Sequence, residues 1–456
     1  MPGCLTFLHC MMLCFGGGEA LAKPDVVQFH SSRYVRVDDV TAVQDGAIAT
    51  ITFMDNLSLK EAVWRASGRA TLVLKVDLNG VPQWSSVATH THHLKVVSKG
   101  GHTFVAGQWK KAGNVAGCPL KERGHMGAFL ARLDGKGQCV RLIQLAGTGS
   151  VTFSEVSTDG STGVVVAGNA SADFKVGPHP VDVVSKRSFF VSRFSVTGEH
   201  QWTKTGAGGN TGLTGMWLWA AQMGEDGRVV LGGDLSGAGS FMGQELQSGS
   251  EVFKEGKIPK AASFAGVLDP DGKLEWVRVV GTGTMLEQVA FDSENGIFLA
   301  GHFPDATPKV DFGRTFSWHS AKSSTGTIPR IFLARMKASG ATDWVRTLHG
   351  DVSARSEGVA VDGAHIVVLA ESDGPVTVGA RSFGEDSEPR GNLWIVRWSH
   401  EGMQPQIHSH IEGMKMNAGA VDIASGWMVW GGSWQDATTG EPNTTRRMGA
   451  IWMEQR

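Results

Sequence analysis

The chain has 456 residues, 41% hydrophobic and 19% charged, with a net charge of -2 and a pI near 6.8. This composition supports a large core and excludes the broad basic face that nucleic-acid binding needs. Length alone would divide the chain into about three domains, a division that the repeats described below replace.

Gly 61 against Pro 15 indicates many tight turns. A single tyrosine stands beside Trp 15 and Phe 21, an imbalance for which we have no physical account. In chain order, an apolar run from Leu5 to Phe15 is followed by Gly16-Gly17-Gly18 and then Ala20-Leu21-Ala22. The run and its Ala-x-Ala step resemble a secretory signal cut after Ala22, although no Lys or Arg precedes the run. It is too short to cross a bilayer, which takes about 20 residues, and a buried strand is the alternative. The expected organisation is a signal peptide over 1–22 and one domain over 23–456, secreted, periplasmic or at the cell surface. Of five cysteines, cleavage leaves Cys118 and Cys139. Two cysteines in an exported chain suggest a disulfide; two buried thiols are the alternative. Neither has a CxxC spacing or a histidine set suited to zinc.

The remainder of the chain repeats a unit of four strands. Strand A ends in patterns such as Val289-Ala290-Phe291-Asp292, and strand B follows as in Gly163-Val164-Val165-Val166-Ala167-Gly168. A long variable loop leads to strand C, as in Phe332-Leu333-Ala334-Arg335, and a glycine turn leads to strand D. Gly80 to Trp84, Gly198 to Trp202, Gly272 to Trp276 and Gly340 to Trp344 share one spacing. Aligned on one strand C position, the copies fall at Lys75, Arg132, Arg193, Val267, Arg335, Arg397 and Trp452, in units of roughly 55 to 75 residues. The fold expected is all-β, a seven-bladed β-propeller of four-stranded antiparallel blades, rather than two or three β-sandwiches. Consecutive apolar residues such as Val164-Val165-Val166 suit sheets buried on both faces. The seventh unit ends on strand C near Met453, while Val26 to Phe29 has no place in the first unit. That N-terminal strand, 26–29, is expected to complete the last blade and close the ring.

The Phe-Leu-Ala-Arg-x-Asp-x-x-Gly-x-x-x-Trp-x-Arg units, the Val-Ala-Gly strand ends and Asp311-Phe312-Gly313 resemble the bacterial secreted β-propeller repeat family of the SBBP type. The resemblance runs from about Val37 to the C-terminus. It implies an exported bacterial propeller, and the family has no common established activity. This chain departs from the pattern at Arg141 and Gln406, which stand in the Trp slot of the second and sixth units, and at Val267, which replaces the strand C arginine of the fourth.

The strand D tryptophans are expected to fill gaps between blades, and the strand C arginines to form structural pairs or a solvated face. In turns such as Asp77-Leu78-Asn79-Gly80 and Asp269-Pro270-Asp271-Gly272, Asp bonding to its own backbone with Gly at positive φ explains the pattern better than calcium. Length variation gathers in the B to C loops, about 54–70, 108–127, 169–188, 234–262, 302–330, 371–391 and 433–448. These loops and the blade crossings are expected to form a ligand face. On that face lie His90, His92 and His93 in the first crossing, His349 and Asp351 in the fifth, and His408 and His410 in the sixth. Two or three of these imidazoles suit a transition metal, and solvated histidines are the plain alternative. A GxSxG elbow, a P-loop and a vicinal cysteine pair are absent from the sequence, and carboxylates such as Glu357 and Asp362 cannot be told from turn residues. The expectation is a non-enzymatic binding scaffold for a protein or glycan, monomeric, with no cofactor, no nucleic acid and no membrane span. The alternatives are a carbohydrate- or peptide-acting enzyme with its site at the channel mouth, and a structural surface-assembly module.

Overall fold

The computed structural model describes residues 25–455 apart from short stretches, of which 209–214, 249–260, 318–327, 384–391 and 436–446 are the longest. The signal-peptide residues 1–22, Asp351 and the aligned glycine of Asp311-Phe312-Gly313 lie outside the described residues. The described residues form strands and turns with no helix, so the chain is all-β. No helix is long and apolar enough to cross a membrane among them.

The units follow the expected A-B-C-D order. In the third, Val151–Thr158, Gly163–Ala170, Ser188–Ser195 and His200–Gly208 pair antiparallel in that sequence. In the seventh, Met416–Ala424, Trp427–Gln435 and Arg447–Gln455 pair in order, and the N-terminal strand Asp25–Ser31 lies against the last of these, from Asp25↔Met453 to Ser31↔Arg447. The first crossing differs from expectation. Pro82–Lys99 is one strand that serves as D of the first unit and A of the second, so the seventh, first and second units share a continuous ladder.

Strand alternation distributes the apolar residues. Val164 and Val166 enter a cluster with Phe104 and Leu130 of the second unit, while Val165 between them enters one with Leu218 and Leu231 of the fourth. Every cluster of buried apolar residues joins two successive units. Ile48 and Val73 meet Val105 and Phe129; Val230 and Ala265 meet Leu299 and Ala334; Phe298 and Leu333 meet Ile366 and Val396; Val367 and Ile395 meet Met428 and Trp452. The remaining cluster joins the last unit to the first, with Val429, Ile451 and Met453 against Val37 and Val40. Each buried aliphatic or aromatic side chain contributes about 1.5–3 kcal/mol, so the contacts between sheets, more than the sheets themselves, supply the cohesion.

The repeated step from glycine to tryptophan has the same explanation. The strand D Trp of one unit lies on the C to D turn glycine of the next. A Cβ on Gly272 would come 2.7 Å from Trp202, on Gly340 2.9 Å from Trp276, and on Gly402 2.8 Å from Trp344. Gly340 also takes φ +78, which disfavours any side chain there. Trp202 and Trp276 donate from Nε1 to the same turns, at Pro270 O (3.0 Å) and Ala338 O (2.8 Å). Most of these indoles are half-buried, so they seal the outer part of each gap rather than fill its centre. At the junction of last and first units, Val27 of the N-terminal strand takes the Trp place, 2.7 Å from a Cβ on Gly80.

The turn aspartates bond their own backbone, Asp77 Oδ1 accepting from Asn79 and Val81 N and Asp269 Oδ1 from Asp271 and Lys273 N. The strand C cations pair with their own A to B turn, as in Lys75 with Asp45 (2.7 Å), Arg335 with Asp292 (2.9 Å) and Arg397 with His365 (2.8 Å).

The long B to C loops have a structural use. The hairpin Phe174–Val176 with His179–Val181, from the third unit, pairs onto strand D of the second through Phe174↔Gly147. Ala238–Phe241 with Gln244–Gln247 does the same from the fourth unit to the third, and Val376–Val378 with Arg381–Phe383 from the sixth to the fifth. These loops were expected to face ligand; in these units they cover the exposed edge of the preceding sheet. In the second unit the sulfurs of Cys118 and Cys139 lie 2.02 Å apart as a disulfide, which ties its loop to the start of its strand D.

Candidate functional site

Strand A of every unit carries a register shift at a matching place. The shifts fall between Val37 and Asp39, His92 and Lys95, Phe153 and Glu155, Leu218 and Ala220, Leu286 and Gln288, Ser356 and Gly358, and Asn417 and Ala420. Such bulges turn one side chain away from the regular alternation. Neighbouring A strands are stitched together beside them. Asp39 Oδ2 accepts from Val96 N (2.8 Å), Ser157 Oγ from Met223 N (3.0 Å), Gln222 Oε1 from Phe291 N (2.5 Å), Glu287 Oε2 from Ser356 N (3.2 Å) and Asp422 Oδ2 from Ala42 N (2.9 Å). Lys95 and Glu155 form an ion pair of 2.5 Å between the second and third units. The frame is thus common, and the bulged residues differ: Asp38, Ser154, Trp219 and Glu287.

Among the described residues, a dense set of chemistry-bearing side chains lies between the first and second units. Tyr34, Met54 and Arg69 stand side by side on strands A, B and C, and Arg36, Thr52 and Thr71 form the next row. Val35 and Val37 point the other way, into the cluster with the last unit, so alternation turns Tyr34, Arg36, Arg69 and Thr71 toward the second unit. There the apolar packing of Ile48 and Val73 gives way to polar groups. Arg36 Nε donates to Asp38 Oδ1 at 2.5 Å, Thr52 Oγ1 donates to the other Asp38 oxygen, and the Thr52 and Thr71 hydroxyls lie 3.0 Å apart. The Asp38 side chain is 4% exposed. Burial pushes its carboxyl above the usual range, against the opposing pull of Arg36. The guanidinium of Arg69 lies over the ring of Tyr34, 5.8 Å from its centroid. Arg69 Nε and Thr91 Oγ1 are buried without a hydrogen-bond partner.

The histidine segment runs over this row and is tied down by Thr50 Oγ1 donating to Leu94 O at 2.8 Å. His90 and His93 take φ of 56° and 50°, which breaks the alternation of an extended strand and brings His92 and His93 to the same group of charges. His92 is held below the usual imidazole range by burial, then by Arg69; His93 is held below it by its partial burial, then by Arg36, with Asp38 opposing. Both imidazoles are therefore neutral near pH 7 and able to accept a proton. His90 is exposed and contacts Ala112 O through Nδ1. His92 feels both Arg69 and His90, and His93 feels Arg36, Asp38, Arg69 and His92. His349 lies on Thr342–Gly350 and His410 on Gln406–Ile411, in units away from this site, and the structure describes no side chain for either. Among the described residues no group of three or more His, Cys, Asp or Glu is placed to hold a metal ion.

No family model matches the chain, and no curated protein matches it. Solved structures do. The polysaccharide lyase Uly1 is similar at a TM-score of 0.47 and 10% identity, over 92% of this chain and 90% of that one. The phage phi92 endosialidase is similar at 0.40 and 8%, over 95% and 69%. An apocarotenoid oxygenase of Synechocystis is similar at 0.37 and 10%, over 82% and 74%. At such scores none of them assigns an activity, and the site is read from its own residues.

Tyr34, Arg36, Asp38 and Arg69 have no repeat signature, because they occupy positions where the other units carry unrelated residues. The signals present in the sequence were the lone tyrosine and the adjacent acids Asp38-Asp39 inside an apolar strand.

The stitching carboxylates make stability depend on pH. Asp234, 5% exposed, accepts from Leu286 N (3.0 Å) and Trp219 Nε1 (2.6 Å), and burial, with Glu287 adding to it, pushes its pKa up to about 7. Asp39 is also pushed up to about 7 by burial, with Glu155 and Asp422 adding and Lys95 opposing; it keeps some exposure, so Asp234 is the stronger case. A raised folded-state pKa means that the folded protein holds a proton the unfolded chain has lost, so this stability is present at low pH and is lost as pH rises toward about 7. His92, His93 and His200, held low, act oppositely below about pH 6.5. Between pH 6 and 8 Asp234 alone should cost about 1.4 kcal/mol. Denaturant titrations across this range should show that fall, and Asp234→Asn should remove it; an unchanged slope in the variant would place its source elsewhere.

Proposed function

We propose that the chain is a carbohydrate-acting β-propeller enzyme whose site is the polar wedge between its first and second units, and that its substrate is an acidic polysaccharide. The observation that carries this reading is the meeting of two imidazoles held neutral with a guanidinium, Arg69, whose buried Nε has no partner and which lies over Tyr34. Arg36 is already neutralised by Asp38; Arg69 is the cation left for substrate. These groups suit β-elimination at a uronate. Arg69 binds the sugar carboxylate and lowers the pKa of the adjacent C–H. An imidazole, His92 or His93, removes that proton, the electron pair forms the C=C bond, and the C–O bond to the next sugar breaks with Tyr34 protonating the departing oxygen. No metal or cofactor is required by this sequence of steps.

The fold proposed with it is one closed ring of seven units. In support, the apolar clusters pass from unit to unit and return from the last to the first, and Val27 continues the pattern of Trp on glycine at that junction. Membership of the secreted propeller repeat family, export with cleavage after Ala22 and a monomeric state belong to the same proposal, supported by the repeat motif and the Cys118–Cys139 bond.

The test is a panel of acidic and neutral polysaccharides incubated with the purified protein, read by ultraviolet absorbance of an unsaturated sugar and by new reducing ends. Both signals on a uronate polymer are expected. Reducing ends without the absorbance would replace elimination by hydrolysis, and binding without either signal would return the protein to a scaffold.

A further inference from the structure

The second unit carries Arg141 where four other units carry the sealing tryptophan, and the structure is open there. Arg141 follows the usual contact only in part. Its Cδ would lie 2.8 Å from a Cβ on Gly198, and Nη1 donates to Thr197 O at 3.0 Å, as Trp202 and Trp276 donate to the next turn. A slender exposed arginine does not fill the volume of an indole. A cleft of about 1120 Å³ lies between the strand Cys139–Gly147, the hairpin around His179 and the turn at Gly198 to His200.

The lining of this cleft is specific in kind. The imidazoles of His179 and His200 are stacked, 4.6 Å between centroids at 28°, and Phe194 meets His200 edge-on at 5.8 Å. His200 is held in place by Nε2 against Thr203 Oγ1 at 2.9 Å. Around this flat platform, Arg141 and Lys175 are balanced by Asp182 and Glu199. A balanced rim of donors and acceptors over a flat, partly apolar floor does not suit a phosphate-rich or lipid ligand. It matches a sugar ring, which offers hydroxyls at its edge and C–H groups on its face.

We propose that this cleft is a second, non-catalytic saccharide-binding site that holds a polymer chain remote from the wedge between the first and second units. This inference rests on the carbohydrate reading above and names a separate site for the same substrate class. The cleft lies where the second unit departs from tryptophan, so restoring the repeat residue should close it.

The experiment measures affinity for the polysaccharide that responds in the panel, by calorimetry, for the full chain, for Arg141→Trp, for His200→Ala and for Arg69→Ala, with melting temperature as the folding control. Arg141→Trp should weaken polymer binding at least tenfold without lowering the melting temperature, and His200→Ala should weaken it in the same direction. Both should leave turnover of short oligosaccharides unchanged, whereas Arg69→Ala should lose turnover and keep polymer binding. Polymer affinity equal to that of the parent protein in Arg141→Trp and His200→Ala overturns the cleft proposal while leaving the proposed function standing. Binding that depends on the cleft in a protein without turnover overturns the proposed enzyme and keeps the cleft.

Discussion

A chain beginning at Arg33 is expected to melt far below one beginning at Lys23, or to aggregate on expression. Asp25–Ser31 pairs residue for residue with Arg447 to Met453, so its removal leaves Arg447–Gln455 as an unpaired edge. Phe29 is fully buried and Val27 is 3% exposed. Together these two side chains are worth about 3–6 kcal/mol, and each ladder bond lost adds about 1 kcal/mol. The sum is comparable to the whole stability of a domain, about 5–15 kcal/mol. Val27 also seals the turn at Gly80, so the junction between last and first units would open as well as fray. A synthetic peptide of residues 23–32 added to the shortened chain should raise its melting temperature in proportion to the logarithm of its concentration. Equal melting temperatures for the long and short chains would show that the last unit is held without this strand.

The fold was legible where physical demands repeat. A turn glycine at positive φ facing the previous unit's indole recurs at four junctions, so Gly272 and Gly340 and their partners Trp202 and Trp276 announce both strands and the spacing between units. The Val164-Val165-Val166 run likewise could only suit a sheet covered on both faces, and each of the three is now found in such a cluster. What was hidden depends on single residues or on distant pairings. Val27 substitutes for a tryptophan that no local motif requires. The hairpin Phe174–Val181 reads as a variable loop because its partner, Leu145 to Gly147, lies in another unit. The bulges are hidden too, since an extra residue in an apolar strand leaves composition unchanged; they decide that Asp38 leaves the core alternation and that His93 joins His92 beside Arg36 and Arg69.

Loss of Arg69 should be among the most damaging single changes to the proposed activity. Arg69→Ala removes the cation that the elimination needs at the substrate carboxylate, and the expected fall in kcat/KM is about 100- to 1,000-fold. Arg69→Lys should recover little, because a point charge cannot present the same planar fork or lie flat on Tyr34. The base should reveal itself by comparison of His92→Ala with His93→Ala, one of which should lose about 100- to 10,000-fold while the other changes little. Tyr34→Phe keeps a ring under the guanidinium and removes only the proton donor, so it should lower kcat with KM nearly unchanged. The pH profile supplies a readout that a loss of packing would not move. With both imidazoles held below the usual value by burial and by Arg69 or Arg36, kcat/KM should rise with pH through a pKa below 6.5, and His92 or His93 replacement should abolish that limb. Melting temperatures separate chemistry from folding, since Arg69 and His92 are only partly buried and their loss should leave the apolar junctions intact. If Arg69→Ala, His92→Ala, His93→Ala and Tyr34→Phe all fold and turn over substrate within twofold of the parent, the wedge between the first and second units is removed as the active site, whatever the polysaccharide panel shows.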